Sequence, residues 1–424
     1  MNTPGTRAAP GSLRPVAALL FGVFLAMAGS GPLTTLVSLR LEAAAVERIA
    51  IGAVMAANFA GLTLGSLLAY RVVLRAGHIR AFAAFASVLS AASLAYPLVA
   101  HPLAWAVLRL GEGFCMAGVF ICVESWLNDR AGPATRGRIL ALYMICLYLG
   151  QAGGQFLLGV DEGTGGFRVF ILVSILLSLA VLPVTLTRMA PPALPEVAAL
   201  SARRLYAASP LGIAGVVVSG LILGSVYTLG PVFAREGAGF DVTGVARFMS
   251  VLIFGGVMLQ WPLGRLSDAF DRRRVIIATL AALTLAAAAL PVLARQGEVA
   301  LLGGAALFGG FAFALYPLCV AHTNDHLAQD ERVGASGGLV LAYSIGATAG
   351  PLAGAAAMSG LGAAGLFVFA CGAAAAGLAF GLWRMRMRPP VPAERQGRFQ
   401  SLPRTTPAAV PLNPRTAIGP AAGQ

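Results

Sequence analysis

Three ionisable residues stand within one apolar stretch, residues 102–127: Arg109, Glu112 and Glu124. On a helix, Glu112 projects about 60° to one side of Arg109 and Glu124 about 60° to the other, over about 22 Å of axis. Gly113 falls between them, so the three groups share one polar stripe. An Arg inside a membrane-spanning helix costs roughly 2.5–3.5 kcal/mol to insert, so it normally has a partner and a purpose. Two roles fit. Arg109 and Glu112, three residues apart, can form a static ion pair, or the stripe can couple protons or a solute, with Glu124 the more exposed group near one mouth. Further polar and aromatic residues interrupt other apolar runs: Thr34, Asn58, Gln151, Gln155, Tyr227, Gln260, Trp261 and Tyr316. They are candidates to line a polar cavity, and the two Gln of residues 151–155 fit hydrogen bonding between helices equally well.

Clustered catalytic chemistry is absent from the sequence pattern. The four His (His78, His101, His322, His326) are dispersed, and only His322 and His326 share metal-like spacing. They flank Asn324-Asp325 and read as part of a gate rather than a metal site. With no G-x-x-x-x-G-K-[ST] loop and no Lys in the chain, no ATP site is legible. Neither cofactor nor metal is expected.

The elements that position these residues follow from solvent. Of 424 residues, 58% are hydrophobic and only 11% charged, with a mean hydropathy of +0.81. A soluble domain needs about 25% charged residues to wet its surface, so most of this surface meets lipid. Spanning-length apolar runs lie near 16–39, 50–70, 81–100, 102–127, 139–160 and 167–187, then 210–233, 243–264, 275–294, 299–322, 335–358 and 361–383. Arg7 and Arg14 before residues 16–28 resemble a signal peptide, but the apolar character continues to Leu39, long enough for a retained first helix. The five Cys all lie in apolar runs without a CxxC partner, as packing residues do.

A net charge of +13 raises the question of nucleic acid, but the Arg recur between apolar runs instead of forming one patch. With the N-terminus in the cytoplasm, the inward loops and tails carry most of the 30 Arg, among them Arg71, Arg75, Arg80, Arg136, Arg138 and Arg272–Arg274. The outward side holds Arg40, Arg48, Arg168, Arg235, Arg247 and Arg295. That bias places both termini in the cytoplasm. Residues 1–15 are then an N-terminal tail, 16–187 one six-helix bundle, 188–209 a Pro- and Arg-bearing linker, and 210–384 a second bundle. The Pro-, Arg- and Ala-rich residues 385–424 show no helical period and are expected to be disordered.

The halves repeat each other. Asn128, Asp129, Arg136, Gly150 and Gly154 recur as Asn324, Asp325, Arg332, Gly346 and Gly350, all at one offset. Asp129, Arg136, Asp325 and Arg332 therefore mark matching loops. Six plus six parallel repeats are the architecture of the major facilitator fold.

The motifs point the same way. The run from Gly264 through Asp268 to Arg272 and Arg273 resembles the G-x-x-x-D-x-x-G-R-R loop of the major facilitator superfamily, with Asp271 in place of the second Gly. The resemblance implies a cytoplasmic latch in which Gly264 permits close helix contact and Asp268 faces a helix N-terminus or the Arg. In the first half Gly65 is present, but Ala69 stands where the Asp belongs. Arg109-x-x-Glu112-Gly113 resembles the family's R-x-x-Q-G, with Glu for Gln. The run Gly346 to Gly354, which includes Pro351, resembles G-x-x-x-G-P-x-x-G, while the fifth run has Gln155 where a drug antiporter has Pro. Val123-Glu124-Ser125-Trp126, residues 260–268 and Tyr316-Pro317 resemble the YcaD-type bacterial branch.

The expectation is an all-α membrane protein with 12 spans in two six-helix repeats. It would act as a monomer in a bacterial inner membrane, moving a small organic solute by alternating access with proton coupling and no nucleic-acid partner. A membrane sensor or enzyme on the same fold is the alternative; a sensor calls for an appended soluble domain, which the sequence does not display.

Overall fold

The computed structural model describes residues 13–132, 135–160, 166–187, 192, 200–328, 331–387, 392, 396–406 and 408. The rest of the N-terminal tail, most of the linker before residue 200, and the tail beyond residue 408 lie outside the described residues. Among the described residues there is no strand, and 12 helices are long and apolar enough to cross a membrane. They are α1 (Val16–Ala43), α2 (Arg48–Ala76), α3 (His78–Leu98), α4 (Pro102–Arg130), α5 (Arg136–Val160) and α6 (Phe167–Thr185). The second set is α7 (Pro210–Gly237), α8 (Val242–Ala269), α9 (Arg272–Leu293), α10 (Glu298–Asn324), α11 (Gly334–Leu361) and α12 (Gly365–Met387). Several overrun their apolar runs, α2 by six residues at Ala76 and α8 by five at Ala269. Hydropathy marks only the stretch that lipid must cover, whereas backbone hydrogen bonding carries a helix on into the headgroup region.

The same pairs pack in each half: α2 on α4 and α1 on α5 in the first, α8 on α10 and α7 on α11 in the second. The repeated glycines sit at these contacts. A Cβ on Gly154 would stand 2.3 Å from the Ala28 carbonyl oxygen, and one on Gly350 2.3 Å from that of Leu221. Between the halves, α2 meets α11, α1 meets α7 and α5 meets α8.

Outside the spans, Ala202–Ala208 forms a short helix whose Ser201 cap accepts from the Arg204 amide. It is held to the start of α11 by Arg204–Glu331 at 2.7 Å and by the Leu200 amide on the Gly334 carbonyl. The C-terminal expectation needs correcting. Residues 396–406 are not a disordered tail but lie against the bundle end, with Leu402, Pro403, Thr405 and Thr406 buried. The physical reason is that carboxylates on α4 and α8 and just past the end of α10 accept hydrogen bonds from this segment, which composition alone does not reveal.

Candidate functional site

At the end of the bundle that carries the tail, the α8–α9 turn builds a charged knot around Arg272. Its guanidinium is 1% exposed and donates to Asp325, to Asp268 at 3.1 Å and to the Gly397 carbonyl at 2.8 Å. Arg273 pairs with Asp271 at 2.8 Å, so the residue that replaces the motif's second glycine caps α9 and holds the second Arg. Asp268 thus faces Arg272, one of the two placements expected. Gly264 does not: a Cβ there would stand 2.2 Å from the Phe399 ring, so the missing side chain admits the tail rather than a neighbouring helix.

The matching corner of the first half is looser. Asp129 has a side chain 46% exposed and stands 3.6 Å from its neighbour Arg130. Arg136 donates from Nε to the Ala131 carbonyl. Arg332, in the helical turn that leads into α11, is half-buried. Ala69 supplies no carboxylate where Asp268 stands in the second half, so the Asp268–Arg272 contact has no first-half copy at that position.

Between the halves lies a cavity of about 1050 Å³, its open mouth included. Five of the expected residues line it: Thr34, Asn58, Gln151, Gln155 and Tyr227. Thr34 accepts from Arg109 Nη2 at 3.1 Å, and Asn58 donates to the Arg109 carbonyl. Gln155 accepts from Thr35 at 2.8 Å, and Gln151 from the Tyr227 hydroxyl at 3.1 Å, across the two halves. Arg109 and Glu112 form a 3.0 Å ion pair with both side chains under 5% exposed, and the Tyr96 hydroxyl donates to the same Glu112 oxygen. Among the described residues, Arg109 Nε and Glu112 Oε1 find no hydrogen-bond partner.

Three expected residues sit elsewhere. Trp261 is 62% exposed and stacks under Arg265, 3.8 Å from Cζ to the ring centroid. It and Gln260 border a lateral pocket between α5 and α8. Tyr316 is buried beside Leu402 and Thr406, below the main cavity. An aromatic ring in a spanning run packs or faces lipid as readily as it lines a cavity, so type and place in the run do not sort these cases.

Glu124 also departs from expectation, being wholly buried rather than the exposed member of the stripe. Tyr143 donates to it at 2.8 Å, and the hydroxyls of Thr405 and Thr406 donate to its two oxygens. The tail covers the mouth it was expected to reach. The residues that went unread are Tyr148, Tyr343 and Phe313, which gather around Arg404 of the tail.

At the far end, the halves are tied by Arg48–Glu236 at 2.9 Å and Arg235–Glu42 at 3.5 Å, while Ser38 donates to the Thr228 carbonyl beneath them. A two-halved helical bundle in lipid, with a polar cavity at the midline and charged contacts at both ends, is the build of a membrane transporter. The chain belongs to the Major Facilitator Superfamily, whose model matches residues 19–294 and 248–419. It is similar to the uncharacterized MFS-type transporter YcaD of Escherichia fergusonii, 29% identical over 340 residues, covering 80% of this chain and 87% of that one. YE1530 of Yersinia enterocolitica, likewise an uncharacterized MFS-type transporter, is 30% identical over 341 residues, with 80% and 87% covered.

The fold is similar to a bacterial homologue of the human lysosomal transporter Spinster, inward-facing and occupied, at TM-score 0.73, 16% identity, 92% of this chain and 99% of that one. Similar too are the nucleoside transporter NupG (0.70, 15%, 88% and 98%) and a D-xylose–proton symporter (0.66, 13%, 90% and 98%).

Proposed function

We propose that the chain is a secondary transporter that moves a small organic solute across a bacterial inner membrane by alternating access. The observation that carries this reading is a cavity lined by both halves, with cross-half ion pairs at the far end and the tail segment over the other. Alternating access needs such a site and a set of contacts at each end that can hold one side closed at a time. The Arg-rich loops all fall at the tail end, which supports a cytoplasmic placement of both termini. Solute transport is also what the names of the structurally similar NupG and D-xylose–proton symporter describe of those proteins.

Glu124 is the group proposed to carry the coupling proton. It is a buried carboxylate in a spanning helix, and such residues mark proton relays. Its neighbours Tyr143, Thr405 and Thr406 all contact its two oxygens, so a proton taken up there would compete with contacts already made. Arg109 and Glu112 are proposed to position the cavity wall through Thr34 and Asn58. In proteoliposomes, with a solute found by thermal-stabilisation screening, Glu124→Gln should lose at least about 90% of pH-gradient-driven flux. Gln keeps the size and one acceptor, so the melting temperature should stay within a few degrees. Full gradient-driven flux by this variant would remove Glu124 from the coupling path.

A further inference from the structure

Residues 396–406 do more than cover the bundle end. The segment is pinned by its backbone: the Gly397 amide donates to Asp325 at 3.1 Å and the Phe399 amide to Asp268 at 2.6 Å. Phe399 fills the space over Gly264, and Ser401 donates to Gln260 at 2.7 Å. From there the chain enters the cavity between the halves, whose wall includes Pro403, Arg404 and Thr405.

Arg404 occupies an aromatic cage. Its Nη2 donates to the Tyr148 hydroxyl at 3.1 Å. Its Cζ stands 4.7 Å from the Phe313 ring centroid and 5.4 Å from that of Tyr343. Tyr148 and Tyr227 flank Phe313 at 5.3 and 5.7 Å. Aromatic faces attract cations, most strongly where water is excluded. Charge does not oppose this. Arg109 lines the cavity but is paired with Glu112 behind the wall, while the Glu124 carboxyl group lies against the tail through Thr405. A segment that only padded the opening would need no guanidinium, and taking one out of water is costly unless the site is made for it.

We propose that this cavity is a binding site for organic cations with a guanidinium or similarly flat cationic head, and that Arg404 is its tethered occupant, displaced when a solute binds. The proposal rests on the transport reading above and adds the solute class. A tethered competitor acts at an effective concentration in the millimolar range, so it masks the site from all but tight or abundant ligands.

The test uses the full chain purified in detergent, with butylguanidinium as probe and butylurea as its neutral counterpart. Arg404→Gln should bind butylguanidinium roughly tenfold more tightly than the parent chain, the factor expected when a millimolar tethered competitor is removed. Phe399→Ala, which loosens the tail without touching the cavity, should shift affinity in the same direction. Adding Phe313→Leu to Arg404→Gln should erase the gain, and butylurea should bind none of them. Unchanged affinity in both tail variants, or butylurea binding as well as the cation, overturns the proposal. Tighter cation binding without any flux in vesicles would leave this site standing and sink the transport reading alone. Flux of some other solute, unaltered by Arg404→Gln and with no cation binding, would do the reverse.

Discussion

Arg272→Met is expected to be the most destabilising single change at the charged end of the bundle. Arg272 and Asp325 are each 1% exposed and face each other directly. Removing one partner of a buried ion pair leaves the other charge in a poor solvent, which typically costs about 3–5 kcal/mol. The damage extends further, because Arg272 also holds Asp268 and the Gly397 carbonyl. The variant should melt well below the parent in detergent and release the tail. Removing both charges together is a different experiment. Arg272→Met with Asp325→Leu leaves no buried orphan charge and should recover much of the lost stability, as replacing a whole buried pair often does. Arg274 is the internal control, exposed beside the same knot; Arg274→Met should melt like the parent. Equal melting of the Arg272 and Arg274 variants would mean that these Arg act only as topology signals. A double variant no more stable than Arg272→Met would refute the charge argument itself.

That contrast shows how far the sequence could be read. The spans were legible because hydropathy reports the one requirement lipid imposes, and the repeat because Gly and loop charges keep their order. The latch was half legible. The Gly-Asp-Arg spacing placed Asp268 and Arg272 together, but nothing in it told that Gly264 makes room for Phe399 from more than a hundred residues away. The polar cavity residues announced themselves, since Thr34, Asn58, Gln151 and Gln155 have few reasons to lie in apolar runs. Tyr148, Phe313 and Tyr343 gave no such signal, because aromatic rings belong in those runs anyway. Trp261 is the converse error, a large ring that found Arg265 at the lateral surface instead of the midline. The tail was hidden for a deeper reason. Its order comes from long-range acceptors, Asp268, Asp325 and Glu124, and a segment without periodicity looks the same whether or not such partners await it.

The Arg109–Glu112 pair shows how the two roles left open by the sequence combine. The pair forms as a static contact would, with Tyr96 adding a third member. Yet Arg109 also reaches Thr34 on the cavity wall, and two of the pair's polar atoms find no partner among the described residues. A contact that served packing alone would have no need to face the cavity. In the proposed transport reading, the pair fixes the wall that a solute meets, and Glu124 is a separate group against the tail.

Two glycines on α4, identical in the sequence, should behave in opposite ways when replaced by Ala. A Cβ on Gly113 would stand 1.9 Å from the Asn58 carbonyl oxygen and 2.7 Å from the Leu62 amide nitrogen. Those are backbone atoms of α2, so no rotamer change relieves the overlap and the two helices must separate. A Cβ on Gly111 meets nothing within 4 Å. Gly111→Ala should therefore keep or slightly raise stability, since Ala favours the helix over Gly by up to about 1 kcal/mol. Gly113→Ala should lose about 1–3 kcal/mol or more, the usual cost of overpacking. Function should suffer beyond stability, because Asn58 is the residue pushed away, and its amide holds the Arg109 backbone at the cavity wall. The repeat supplies an independent copy of the experiment on α10. A Cβ on Gly309 would stand 2.0 Å from the Leu252 carbonyl oxygen, whereas one on Gly303 meets nothing within 4 Å. Melting temperatures of the four Ala variants, ranked with Gly113 and Gly309 far below Gly111 and Gly303, are the expected result. If all four melt alike, the contacts of α2 with α4 and of α8 with α10 are not held at backbone distance, and the cavity wall they position would have to be redrawn.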